Sequence, residues 1–283
     1  MSSAEQLPQT RAERRRAQQG RRGPDETPAR PALEAAPARP RPVVAAATMV
    51  LGLAVAVAST ATEHSLLIGV VALCAVLVAV GLPRLVGLVG ARASSVVLLL
   101  TTAGLVAARM FKEGEPLLEL VPFAAAGGFV MACLTPLVSA AARRQLTWWL
   151  SATSLGVLLL VSGFVLTGVS DARRPVIVAA VAIAVSAVVE VIMTRGRARS
   201  WLLPVTMVVG GIAGLVVELA VRDEMLVWAV LVGVLAAGIA LALRQVLAQL
   251  PRIDEPVGSI ATGAASLLVV GPVVLTLARV FLG

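Results

Sequence analysis

From residue 43 onward, long apolar runs alternate with short charged turns. The clearest case is residues 175–221, which read PVIVAAVAIAVSAVVEVIMT, then RGRARS, then WLLPVTMVVGGIAGLVVELAV. Each run is about 20 residues, enough to cross a hydrocarbon core of about 30 Å as a helix. Lipid offers no partner to backbone N–H and C=O groups, so such runs predict helices and not open strands. The same pattern predicts helices over 43–60, 65–82, 93–110, 120–142, 146–169, 175–194, 201–221, 225–247 and 259–282. The expected fold class is therefore all-α: a polytopic transmembrane helix bundle of about nine spans.

Residues 1–42 break the pattern. They are rich in Pro, Ala and Arg and show no apolar period. Such a segment buries too little surface to offset chain entropy, so it reads as a disordered tail, with 43–283 as the transmembrane domain. The arginines at 14, 15, 16, 21 and 22 suit anionic lipid. Glu13, Asp25 and Glu26 dilute that patch, which favours a solvated cytoplasmic tail. Ala56-Val57-Ala58 before Ser59 resembles a signal-peptidase site, but the long polar segment ahead of it argues against cleavage.

Charge refines the topology. Only 14% of residues are charged, against about 25% in soluble domains. The net charge of +8 sits largely in the tail and the turns, so nucleic acid is not an expected partner; the lipid bilayer is. The turns after helices 2, 4, 6 and 8 hold Arg84, Arg92, Arg143, Arg144, Arg195, Arg197, Arg199, Arg244 and Arg252. The opposite side holds Arg109, Lys112, Arg173, Arg174, Arg222 and Arg279. The bias places the N-terminus inside and the C-terminus outside, in a multi-pass protein of the cell membrane. Trp148, Trp149, Trp201 and Trp228 fall near helix starts, where an aromatic belt is expected. Cys74 and Cys133 have no CxxC partner, and His64 is the sole histidine, so neither a metal nor a cofactor is expected.

Two short matches suggest an internal repeat. Leu82-Pro83-Arg84 recurs at Leu250-Pro251-Arg252, and Ala108-Arg109-Met110-Phe111 resembles Ala278-Arg279-Val280-Phe281. These equate helices 2–3 with helices 8–9 and suggest one leading helix plus four hairpins; chance matching of Ala- and Leu-rich helices is the alternative. Gly210 and Gly214, Gly128 and Ala132, and Ala229, Gly233 and Ala237 are small residues at spacing four, which permit close helix approach. Pro136, Pro204 and Pro272 interrupt apolar runs and are candidate bends.

Ionisable groups inside a membrane are the candidate chemistry. Glu190 lies roughly 6 Å inside helix 6, and Glu218 lies close to the end of helix 7, near the opposite membrane face and roughly 20 Å away along the membrane normal. They cannot form a carboxylate pair. Arg222, at i+4 from Glu218, is an expected helical ion-pair partner. Glu190 has no partner at a good helical offset, so it either reaches back to the arginine turn or faces a cavity as a binding or coupling group. Arg109 and Arg279, related by the repeat, are candidates for an anion or a lipid head group, with interfacial snorkelling as the alternative.

The pattern Leu82-Pro83-Arg84, nine residues, then Ser94-Ser95-Val96-Val97, with ASLLVVGPVVLTLAR in the last helix and the Arg-rich tail, resembles an uncharacterised family of actinobacterial polytopic membrane proteins, some labelled permeases. The resemblance implies a membrane bundle and carries over no site residue. A transporter-like or permease-like function is the expectation. The alternative is a non-transporting scaffold or accessory subunit that packs against other membrane subunits or a second copy through its small-residue stripes. No loop is long enough for a soluble catalytic domain, so an enzyme is not expected, with an intramembrane lipid-modifying activity left open.

Overall fold

A computed structural model describes residues 42–61, 64–88, 90–111, 119–139, 142–143, 145–168, 173–193, 200–221 and 226–282. The tail of 1–41, with its basic cluster, lies outside the described residues. The chain is an all-α polytopic membrane bundle. Its helices are α1 (Pro42–Thr60), α2 (His64–Leu85), α3 (Ala91–Met110), α4 (Val121–Val138), α5 (Leu146–Val165), α6 (Arg173–Met193), α7 (Leu202–Val221), α8 (Leu226–Leu247), α9 (Pro256–Leu268) and α10 (Gly271–Leu282). A 3₁₀ turn, Leu166–Gly168, finishes α5. With α9 and α10 counted as one span, nine segments among the described residues are long and apolar enough to cross a membrane.

Two sets of helices flank the ninth span. The helices α2 to α5 pack together on one side, and α6, α7 and α8 on the other. Between them α9 contacts α1, α2, α5, α6 and α8, while α1 joins α6 to α2. The composition of α9 explains its place. In PVGSIATGAASLL, every residue from Gly258 to Leu268 except Ile260 is buried, and most are Gly, Ala, Ser or Thr. Small side chains let several helices approach one backbone, where close packing replaces the hydrophobic drive that lipid removes. The ninth span is the most enclosed, with 61% of its apolar stretch buried, and α4 the least, with 22%.

The predicted small-residue stripes pack inside the bundle. A Cβ on Gly210 would lie 2.6 Å from the Gly233 carbonyl oxygen, so the α7 and α8 backbones touch where Gly210 meets Gly233. Gly214 presses on the Ala229 carbonyl in the same way, and Gly128 on Thr101 of α3. These faces are consumed in the protein's own packing.

The prolines divide by position. Pro204 stands in the first turn of α7, where no intrahelical donor is needed, and Pro136 in the last turns of α4. Pro272 falls near the middle of the ninth span and breaks it between Leu268 and Gly271. The expected single helix over 259–282 is thus two half-helices. The tryptophans divide as well: Trp148 and Trp201 are exposed, as a belt requires, whereas Trp149 and Trp228 are buried in the core.

Candidate functional site

The break leaves a backbone acceptor to satisfy. Pro272 has no N–H to donate to the Leu268 carbonyl four residues back. Ser162 of α5 donates its hydroxyl to that oxygen instead, at 2.7 Å. Gly271 sits directly on the Ser162 carbonyl, where any Cβ would overlap the oxygen. A small apolar cavity beside the break is lined by Cys74, Leu166, Ile183, Leu267, Leu268 and Val270, among others. Leu268, Val270 and Gly271 at the break are buried while Pro272 faces outward, and irregular backbone at membrane depth is tolerated where protein covers it or where it lines a water-filled cavity.

One turn before the break, α6, α8 and α9 bring four polar side chains together. Ser186 and Glu190 stand four residues apart, on one face of α6. Arg244 comes from α8 and Ser266 from α9. The Arg244 guanidinium donates from Nε to Glu190 Oε2 at 2.8 Å, from Nη2 to Ser186 Oγ at 3.0 Å, and from Nη1 to Ser266 Oγ at 3.4 Å. Each serine passes its own proton to a backbone carbonyl of its helix: Ser186 to Ile183 and Ser266 to Gly263, both at 2.7 Å. That leaves hydroxyl lone pairs facing the arginine. Its side chain is 1% exposed, whereas that of Glu190 is 25% exposed.

An arginine taken out of water is costly, and a carboxylate close by with hydrogen bonds to its remaining donors is what makes burial tolerable. The arrangement has two chemical capacities. It holds one positive and one negative charge in apolar surroundings with no net charge. It also offers a guanidinium fork whose anionic partner lies at the edge of the protein and is the more easily displaced of the two.

Glu190 thus takes its partner from α8, and Arg244 lies inside that helix instead of in the following turn. The other predicted site residues stand elsewhere. Arg109 is 5% exposed and donates from Nε to Thr167 Oγ1 at 2.9 Å and from Nη2 to the Thr167 carbonyl at 2.7 Å. Arg279, its expected repeat mate, is exposed on α10. One α2–α3 arginine is therefore locked into the 3₁₀ turn while its counterpart faces outward. The two LPR matches also differ, since Pro83 lies within α2 and Pro251 in a turn after α8. Glu218 is 1% exposed, and among the described residues neither of its carboxyl oxygens has a hydrogen-bond partner. Arg222, its expected partner, lies outside the described residues.

Arg244, Ser186 and Ser266 are the site residues that periodicity did not single out. A usable signal was present: Ser186 and Glu190 share a helical face, and Arg244 interrupts an apolar run three residues before its end. No protein-family model, no curated protein and no solved structure matches this chain.

Proposed function

We propose that this multi-pass membrane protein is a transporter-like or permease-like protein of the cell membrane, with its N-terminus inside and its C-terminus outside. The observation that carries the reading is the placement of the Arg244–Glu190 pair against the most enclosed of the nine spans, which is broken near its middle. Buried ion pairs add little net stability over apolar packing. Spans broken at membrane depth recur where transporters bind their cargo. On this reading an anionic ligand exchanges with Glu190 for the Arg244 guanidinium, and α10 moves against α5 about the Leu268–Gly271 break.

The experiment is a thermal-shift screen of the purified full-length protein in detergent against inorganic anions, amino acids, sugars and lipid head groups. A ligand present at about 100 times its Kd adds about 2.7 kcal/mol to the folded state. The expected result is stabilisation by an anionic compound that is lost in Arg244→Gln. Stabilisation by no member of the panel would count against the reading.

The second reading, a scaffold or accessory subunit, draws its support from α4. This helix is the least enclosed span and presents Phe123, Met131, Leu134 and Leu137 outward with the exposed Cys133. Crosslinking through Cys133 in native membranes would favour it.

A further inference from the structure

Four buried side-chain atoms have no hydrogen-bond partner among the described residues: Trp149 Nε1, Thr206 Oγ1 and the two carboxyl oxygens of Glu218. An unpaired indole N–H or hydroxyl costs one hydrogen bond, whereas an unpaired carboxylate costs far more. Glu218 is thus the polar group that the bundle least explains.

Its surroundings follow from helix register. Thr206, Gly210, Gly214 and Glu218 recur at spacing four along α7. Gly214 touches the Ala229 carbonyl of α8 and Val178 of α6. Both neighbours run antiparallel to α7, so one turn further on Glu218 is level with the first turn of α8 and the first turn of α6. The first described residues of α8, Leu226 to Ala229, carry no charge. On α6 the charged groups at this level are Arg173, which donates to the Ala61 carbonyl at the end of α1, and Arg174, which is exposed. Arg222, Asp223 and Glu224 lie outside the described residues.

A metal ion would need about four to six donor atoms around this carboxyl. Among the described residues no three His, Cys, Asp or Glu side chains stand together, and Glu218 is flanked by Val217 and Leu219 and stacked on Gly214. A proton asks for no further ligand. We propose that Glu218 is an intramembrane proton-binding site: its carboxyl is neutral at rest, and the O–H bond breaks to pass the proton to water at the end of the bundle where α7 finishes, roughly 5 Å from the carboxyl's own turn. The inference goes beyond the transport reading and does not rest on it, because proton occupancy is read in the protein at rest.

The test uses the full-length protein in detergent at neutral pH. Infrared spectroscopy should show a protonated-carboxyl stretching band that is lost in Glu218→Gln and kept in Glu218→Asp and Glu190→Gln. Dicyclohexylcarbodiimide, an apolar reagent that attacks protonated carboxyls, should label the peptide carrying Glu218 and leave that carrying Glu190 unlabelled by mass spectrometry. Since Gln has the shape of the neutral acid, Glu218→Gln should keep the wild-type thermal midpoint. A band unaffected by Glu218→Gln, or its absence together with an unlabelled Glu218, would overturn the proposal and show an ionised side chain.

Discussion

Glu190 and Glu218 occupy the last turns of the adjacent antiparallel helices α6 and α7, and hence opposite ends of the bundle. Glu190 is partly exposed, yet it has a guanidinium 2.8 Å away. Glu218 is almost fully enclosed and has no partner among the described residues. Burial alone therefore does not decide which carboxyl is paired. Arg244 is the deeper member of its pair, and Glu190 is held at the protein edge by the need to compensate that charge. Among the described residues no guanidinium plays that part for Glu218. One carboxyl serves as a counter-ion, and the other is the one proposed above to bind a proton.

The largest effect is expected where that comparison is broken at the paired end. Glu190→Gln leaves Arg244 buried without its counter-charge and should cost about 3–5 kcal/mol in chemical unfolding, whereas the double change Glu190→Leu with Arg244→Leu should recover most of the loss. A smaller effect comes from forcing α7 and α8 apart beneath Glu218. Gly233→Val places a branched side chain against the Gly210 backbone and should cost about 1–3 kcal/mol or prevent assembly, read as a lower thermal midpoint. Ser162→Ala removes the donor to the Leu268 carbonyl at the break and should cost about 1 kcal/mol, with faster amide exchange at residues 269–272. The smallest effect is expected at the unpaired end, where Glu218→Gln should stay within about 0.5 kcal/mol of wild type.

The spans were legible because lipid imposes a length and a composition on any helix that crosses it. Both candidate carboxyls could be found for the same reason, as charges inside apolar runs. What could not be read is which helices adjoin. Arg244 and Glu190 are 54 residues apart in sequence, and apolar periodicity is silent on whether α6 and α8 share a face. An arginine three residues from a helix end reads as interfacial until its neighbours are known. Trp149 and Trp228 stand near helix starts, where a belt is expected, but neighbouring helices enclose them. The break at Pro272 was visible as a proline, but its consequence depends on depth. Pro204 is harmless in a first turn, whereas Pro272 in mid-span leaves a carbonyl to which Ser162 of another helix donates.

The most direct test of the transport reading is uptake into sealed liposomes containing the full-length protein, using the anion that stabilises it in the thermal screen. The account predicts saturable, protein-dependent uptake that is abolished in Arg244→Gln and slowed in Ser162→Ala. Binding of the same anion with no uptake above protein-free liposomes would contradict it.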